Sequence, residues 1–343
     1  MKYQNVCIES IGYYLPEDVV TSDDIETQLD PVYQRLKLPH GRLELMSGIK
    51  ERRFFPNDWT SSKVAGEAGK NAIEKAGIST DKLGCLIHAS VCKDFLEPAT
   101  ATVVHRDLKL PDACQVFDVS NACLGVLSGM TMIANMIEMG QIESGIVVSG
   151  ENGRQLVEST IQEILNDPTI SRKSIKPYFA SLTIGAAATA VVLTHSSISK
   201  TGHKFLGGAI HSATRHNDLC TGDGASDSTL MNTDSERLML RGIELAGETW
   251  KLFKKEMGWQ NETPDRIFTH QVGSAHQKLL FETLSLDANK DFSTFDVLGN
   301  TGSAALPSTL ALGEEKGLLT KGNKIGLLGI GSGINCMMLA VEW

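Results

Sequence analysis

Cys123 lies in the run Phe117-Asp118-Val119-Ser120-Asn121-Ala122-Cys123-Leu124-Gly125-Val126-Leu127-Ser128-Gly129, where an extended stretch gives way to small residues and then to a helix-forming one. The pattern sets a thiol at a helix N-terminus. Unpaired N–H groups and the helix dipole there favour the thiolate, and they can also hold an oxyanion. The competing reading is structural, because most cysteines on an Ala/Gly-rich helix pack into the core. Farther along, Arg266-Ile267-Phe268-Thr269-His270-Gln271-Val272 reads as a short strand that delivers His270 at its end. Leu298-Gly299-Asn300-Thr301-Gly302-Ser303-Ala304-Ala305-Leu306-Pro307 reads as a glycine-bounded approach to a second helix, with Asn300 at its start. Taken singly, a strand-end histidine is more often a satisfied structural group, and an asparagine before a helix is usually an N-cap. Together, a thiol, an imidazole and a carboxamide make an activated nucleophile plus two groups able to polarise a thioester carbonyl or stabilise its enolate.

Those three residues need elements that bring them together, and an internal repeat supplies them. Glu74-Lys75-Ala76-Gly77-Ile78 parallels Lys255-Glu256-Met257-Gly258-Trp259. The strand ending at His88 parallels the one ending at His270, and Ile146-Val147-Val148-Ser149-Gly150 parallels Leu327-Leu328-Gly329-Ile330-Gly331. All three matches share an offset of about 181 residues in a chain of 343. Under that offset the helix behind Cys123 corresponds to the helix behind Asn300. Two facing βα halves would therefore carry both helix starts and the His270 strand end to one central site. The expected division is residues 1–200 with the nucleophilic cysteine and residues 201–343 with the His/Asn pair. Residues 151–180 form a polar, helix-forming insert broken at Asp167-Pro168. Thr21-Ser22-Asp23-Asp24 reads as a helix cap and Ser61 to Ala76 as a helix, while the polar stretch from His211 to Ser235, with Gly222-Asp223-Gly224, reads as a surface loop.

Composition narrows the class. With 41% hydrophobic residues the chain can bury a large core. Its apolar runs, such as Ala186 to Leu193, are short and bounded, so they read as buried strands and none is long enough to span a membrane. The N-terminal residues lack a signal-peptide layout, which predicts a cytoplasmic protein. Seven scattered cysteines (Cys7, Cys85, Cys92, Cys114, Cys123, Cys220 and Cys336) without CxxC spacing argue against a disulfide framework or structural zinc. The net charge of −9, with no dense Lys/Arg stripe, disfavours nucleic acid. It also weighs against an acidic carrier protein as the main partner, although Lys251, Lys254 and Lys255 leave that option open.

The trio in this order, with His270 and Asn300 30 residues apart, resembles the thiolase-fold condensing enzymes of the ketoacyl-ACP synthase III type. The likeness spans essentially the whole chain, including Thr183 to Leu193 and Gly329-Ile330-Gly331-Ser332-Gly333. Within that superfamily the nearest resemblance is to the OleA branch of olefin biosynthesis, which joins two fatty acyl-CoA molecules head to head without decarboxylation. The segments that carry it are Ser90-Val91-Cys92-Lys93-Asp94-Phe95-Leu96-Glu97-Pro98-Ala99-Thr100, Asn121 to Leu124, His270-Gln271-Val272 and Leu328 to Cys336. The resemblance implies an α/β thiolase fold of duplicated halves layered α-β-α-β-α. It implies a Cys123 nucleophile, an oxyanion hole from the backbone N–H groups of Cys123 and Gly333, and a second carbonyl held by His270 and Asn300. It further implies acyl-CoA as substrate, a 2-alkyl-3-oxo fatty acid as product, a homodimer, downstream lipid-pathway enzymes or acyl carrier protein as partners, and no metal or redox cofactor.

Glu97 separates the possible condensations. Decarboxylation of a malonyl group generates a carbanion without a strong base, whereas joining two plain acyl thioesters requires removal of a weakly acidic α-proton by a base held in a dry site. The OleA-like pattern implies that Glu97 is that base, reaching across the dimer interface into the partner's site. The structural alternative is that Glu97 caps a helix beginning near Pro98. Three other functions stay open on sequence: a decarboxylative 3-oxoacyl-ACP synthase III using malonyl-ACP, an acyltransferase or thioesterase-like relative that stops at acyl-Cys123, and a catalytically silent acyl-binding subunit. Gly273-Ser274-Ala275 and Thr301-Gly302-Ser303 depart from the nearest pattern and bear on substrate choice more than on chemistry.

Overall fold

The uninterrupted apolar runs Ile146-Val147-Val148 and Ala186 to Leu193 are what strands covered on both faces require. In the computed structural model, which describes residues 1–223 and 230–343, each sends alternate side chains into two different cores. Ile146, Val148, Ala186, Ala188, Ala190 and Val192 enter one, and Val147, Val191 and Leu193 enter the other. The described strands are β1 (Val6–Tyr14), β2 (Asp18–Thr21), β3 (Glu51–Phe54), β4 (Cys85–His88), β5 (Gln115–Asp118), β6 (Ser144–Asn152), β7 (Ala186–His195), β8 (His203–Ser212), β9 (Cys220–Asp223), β10 (Leu230–Thr233), β11 (Arg266–Thr269), β12 (Lys324–Gly331) and β13 (Asn335–Glu342). Nine of them form one sheet in the order β11-β12-β13-β8-β1-β7-β6-β4-β5.

Three cores separate five layers. Helix Ser61–Ala76 packs Ala65, Ala68 and Ala72 against the outer face of the β4–β7 region. Helices Gly125–Glu138 and Ala305–Glu315 fill the centre with Val126, Met130, Ile133, Leu306 and Leu310, against Val147 on one side and Phe268 and Leu327 on the other. Helices Ser235–Met257 and Ser274–Leu284 cover the far face with Ile243, Trp250, Phe253 and Leu280, opposite Ile267, Leu328 and Met338. The result is the α-β-α-β-α arrangement of the thiolase fold.

The duplication is visible in the sheet itself. The order β5-β4-β6-β7-β1 is matched by β11-β12-β13-β8, and β4 pairs with β6 in parallel as β11 pairs with β12. The counterpart of β5 is reduced to one parallel bridge, Ile267 to Asp291. Two residue pairs, Cys7 with Lys204 and Ile8 with His203, join the halves at β1 and β8. Helices Ser61–Ala76 and Ser235–Met257 both end on a left-handed glycine, Gly77 at φ +60° and Gly258 at φ +70°, which accounts for the repeated sequence around them.

Local signals behave as their chemistry demands. Thr21 and Asp24 form a reciprocal capping box on helix Ser22–Gln28. In the insert, helix Arg154–Asn166 stops where the Asp167 carboxylate accepts the Thr169 N–H at 2.7 Å, before helix Tyr178–Leu182 begins. The stretch from His211 to Ser235 departs from the expected loop. Its ends complete β8 and start helix Ser235–Met257, and β9 and β10 pair as an antiparallel ribbon. Polar side chains concealed that ribbon, because its ladder is made by the backbone. Gly224 to Thr229 lie outside the described residues. Among the described residues no helix is long and apolar enough to cross a membrane.

Candidate active site

Strand β5 ends at Asp118, and four residues later the chain turns sharply. Ala122 adopts φ +44°, a left-handed conformation that costs a residue with a Cβ about 1 kcal/mol. Cys123 follows in a single 3-10 turn, Ala122–Leu124, that runs straight into helix Gly125–Glu138. The thiol thus sits at the helix start that the sequence indicates. Its electrostatics differ from the helix-dipole expectation. Burial, reinforced by the Glu151 carboxylate and Cys220, pushes the Cys123 thiol up to about 12, so desolvation outweighs the helix terminus.

His270 follows the last residue of β11, and its backbone N–H continues the parallel ladder by donating to the Leu328 carbonyl at 3.0 Å. The ring is buried, and Nδ1 has no hydrogen-bond partner among the described residues. Burial, with His276 nearby, lowers its pKa to about 3, so His270 is a neutral imidazole. Gln271 pins this strand end by accepting the N–H groups of Thr294 and Phe295 at 2.8 and 3.2 Å.

Asn300 is held by its backbone on both sides. Its N–H donates to Thr183 at 3.0 Å, and its carbonyl accepts from Gly185 at 2.9 Å. Its side-chain oxygen takes the Gly302 N–H at 3.1 Å, so it shapes the turn before the 3-10 segment Gly302–Ala304 and is not the cap of helix Ala305–Glu315. Beneath this turn lies the fully buried Arg52, whose guanidinium donates to Ser22 Oγ at 3.1 Å and to the Leu182 carbonyl at 3.2 Å. A Cβ on Gly185 would collide with the Leu298 carbonyl oxygen and one on Gly299, at φ +67°, would stand 2.7 Å from that of Thr183, which keeps both positions glycine.

These segments converge at the carboxyl ends of β4, β6, β11 and β12, the usual location of sites in parallel α/β sheets. A Cβ on Gly331, the last residue of β12, would lie 3.5 Å from the Cys123 nitrogen. One on Gly125 would lie 3.3 Å from Ser303 Cβ, so the two helix starts touch. Gly333 sits in the β12–β13 turn at φ +120°, which only glycine adopts freely. The adjacent Asn335 ties that turn to the Cys123 loop by donating to Asn121 Oδ1 at 3.0 Å.

Glu97 is placed differently. It lies on the exposed part of the segment 91–99 between β4 and helix Thr100–Asp107. It does not cap that helix. Asp118 does, accepting the N–H groups of Thr100 and Ala101 at 3.0 and 2.8 Å. Neighbouring Val91 and Phe95 are half exposed, and Leu96 is fully so.

Sequence reading missed Glu151. This buried carboxylate accepts from Val91 N at 2.8 Å, Cys92 N at 3.1 Å, Ser303 N at 3.2 Å and Ser303 Oγ at 2.5 Å. The only available signal was an acidic residue just before the end of a strand that carries an apolar run.

Comparison with known proteins matches this architecture. Residues 46–201 match the thiolase N-terminal domain, and residues 255–343 match the 3-oxoacyl-[acyl-carrier-protein] synthase III C-terminal domain. Over the full length of both chains the protein is 40% identical to the acyl-CoA:acyl-CoA alkyltransferase of Shewanella oneidensis and 36% identical to that of Xanthomonas campestris. A beta-ketoacyl-[acyl-carrier-protein] synthase III of Clostridium tetani is 26% identical over the same extent. The crystal structure of Xanthomonas campestris OleA with cerulenin bound superposes with a TM-score of 0.96 at 36% identity, covering 100% of this chain and 98% of that one. The chain therefore belongs to the OleA family of acyl-CoA:acyl-CoA alkyltransferases, condensing acyltransferases of the thiolase fold.

Proposed function

We propose that this protein joins two fatty acyl-CoA molecules by a non-decarboxylative Claisen condensation, releasing a 2-alkyl-3-oxo fatty acid. The observation that carries the reading is full-length identity of 36–40% to two acyl-CoA:acyl-CoA alkyltransferases, against 26% to the synthase III relative.

Cys123 attacks the first acyl-CoA as a thiolate. Its half-buried thiol first gives up its proton to neutral His270, which passes it to the departing CoA thiolate. Backbone N–H groups of Cys123 and Gly333 hold the oxyanion. The second acyl-CoA then binds with its carbonyl oxygen facing His270 and Asn300. A neutral imidazole suits that task, because it donates a hydrogen bond to the developing enolate without transferring a proton outright. Glu97 of the neighbouring subunit removes the α-proton, the carbanion attacks the acyl-Cys123 carbonyl, and collapse of the tetrahedral adduct expels Cys123. Hydrolysis of the remaining thioester frees the second CoA and gives the β-keto acid. No step calls for a metal or redox cofactor.

A homodimer fits the exposure of Val91, Phe95, Leu96 and Glu97 and the open edge of β5 beside them in the sheet. Each large apolar side chain buried there would contribute about 1.5–3 kcal/mol. The expected setting is the cytoplasm, with lipid-pathway enzymes downstream.

Product mass from purified protein given only a saturated acyl-CoA tests the reading. A β-keto acid without any malonyl thioester supports it. Condensation that needs malonyl-CoA or malonyl-ACP, and that survives Glu97→Ala, assigns the protein to decarboxylative synthase chemistry instead. Under the proposed function Glu97→Ala loads Cys123 and releases the first CoA but forms no condensed product.

A further inference from the structure

One buried carboxylate touches two segments that the proposed mechanism assigns to different sites. Oxygen Oε1 of Glu151 accepts from Val91 N and from both donors of Ser303, while Oε2 accepts from Cys92 N. Val91 and Cys92 open the segment that carries Glu97, and Ser303 closes the turn that Asn300 begins. A Cβ on Gly302, at φ +57°, would stand 3.1 Å from the Glu151 carboxylate, so the turn lies directly on it. The far end of the Glu97 segment is fixed separately by Asp118, leaving residues 95–98 projecting into solvent.

We propose that Glu151 is a positioning residue that sets the Glu97 segment and the Asn300 turn of one subunit in a common register, and thereby couples the two sites of the dimer. The proposal rests on the reading of Glu97 as a base for the partner's site. Each subunit keeps its Asn300 and lends its Glu97, so a carboxylate holding both relates the geometry of one site to that of the other. The side chain fits the role through its contacts: four donors converge on its carboxylate, three on Oε1 and one on Oε2. A carboxamide at this position cannot accept at both oxygens, and its NH2 would face a backbone N–H.

The test uses the full-length protein with acyl loading of Cys123 and formation of condensed product measured separately. Glu151→Gln should reduce condensation about 30-fold or more while loading stays within about 3-fold of wild type or rises, since the Glu151 charge no longer opposes the thiolate. Glu151→Asp, which keeps the charge, should recover part of the condensation rate. If Glu151→Gln does not fold, Ser303→Ala removes one donor only and should lower condensation several-fold with loading unchanged.

Mixed dimers then separate the two roles. A wild-type chain paired with a Cys123→Ser chain has one live site, with Asn300 from the first chain and Glu97 from the second. Glu151→Gln should impair condensation from either chain. An effect confined to the Cys123-bearing chain overturns the coupling, and loading that falls in step with condensation reduces Glu151 to a structural residue. Glu97→Ala on the Cys123→Ser chain provides the control. Should it leave condensation intact, the base assignment fails, whatever the Glu151 variants do.

Discussion

His88 and His270 end equivalent strands in the two halves, yet they occupy different layers. The repeat aligns His88 with Thr269 and Ala89 with His270, a displacement of one residue. Successive residues on a strand face opposite sides, so that displacement decides the layer. Leu86 enters the outer core and Ile87 the central one, which sends His88 outward beside helix Ser61–Ala76. There its Nε2 meets Ser61 Oγ and Ser90 Oγ, each at 3.0 Å. In the second half Ile267 faces outward and Phe268 inward, so His270 turns toward the central layer where Cys123 starts its helix. Two identical side chains on duplicated strands thus divide, one against an outer helix and one facing the central layer. A family of duplicated halves can build an asymmetric site by single-residue displacement, without new elements.

The largest effect expected from breaking this comparison is at the group that has no twin. Cys123→Ser should cut acyl loading and CoA release by about 1000-fold or more with an unchanged melting temperature, and peptide mass spectrometry of wild type should locate the acyl group on Cys123 alone. The histidines should separate next. His270→Ala should lower condensation about 100-fold. His88→Ala should cost roughly 2–3 kcal/mol in urea unfolding through a buried cavity and unpaired hydroxyls. Equal losses of activity in the two folded variants would contradict the division.

A pH series sharpens the contrast further. Burial lowers His270 to about 3 and His276 to about 4, against about 6.5 for the unfolded chain. Both are favoured neutral, so the stability they contribute is complete above pH 6.5 and is lost as pH falls toward the folded values. By pH 5 each removes about 2 kcal/mol. Asp291, raised to about 6 by burial, acts in the opposite sense and returns about 1 kcal/mol over the same interval. Unfolding at pH 7 and pH 5 should differ by roughly 3 kcal/mol from these three groups, and His276→Gln should remove about 2 kcal/mol of that difference. The smallest change expected is Ala122→Gly. It relieves the left-handed backbone and should raise stability by up to about 1 kcal/mol, readable as a shift in the urea midpoint.

Much of this arrangement was legible before any coordinates. The repeat located both helix starts, and uninterrupted apolar runs located the central strands, because burial on two faces leaves a continuous signature. Cys123, His270 and Asn300 stand where the sequence placed them, each at the end or start of an element, where a polar side chain is conspicuous. Glu151 was not, since its four partners are backbone groups and one serine scattered from Val91 to Ser303, and no local pattern encodes them. The thiol's environment was misjudged for a related reason. A helix start is readable from nearby residues, whereas desolvation depends on how the other half closes over it. The β9–β10 ribbon escaped because its pairing needs no apolar alternation.

The missing tenth strand has a consequence for how far assembly can proceed. At the β11 end the sheet is partly covered by the segment bearing Asp291, whose backbone makes one parallel bridge to Ile267. At the other end β5 is the edge strand, with no strand paired beyond it among the described residues. A particle with one adhesive end can pair with a copy of itself and then has nothing further to offer, whereas one with two would grow into a fibre. In the proposed dimer, an edge shortened to one bridge at the β11 end would thus act as a stop signal, limiting assembly to pairs.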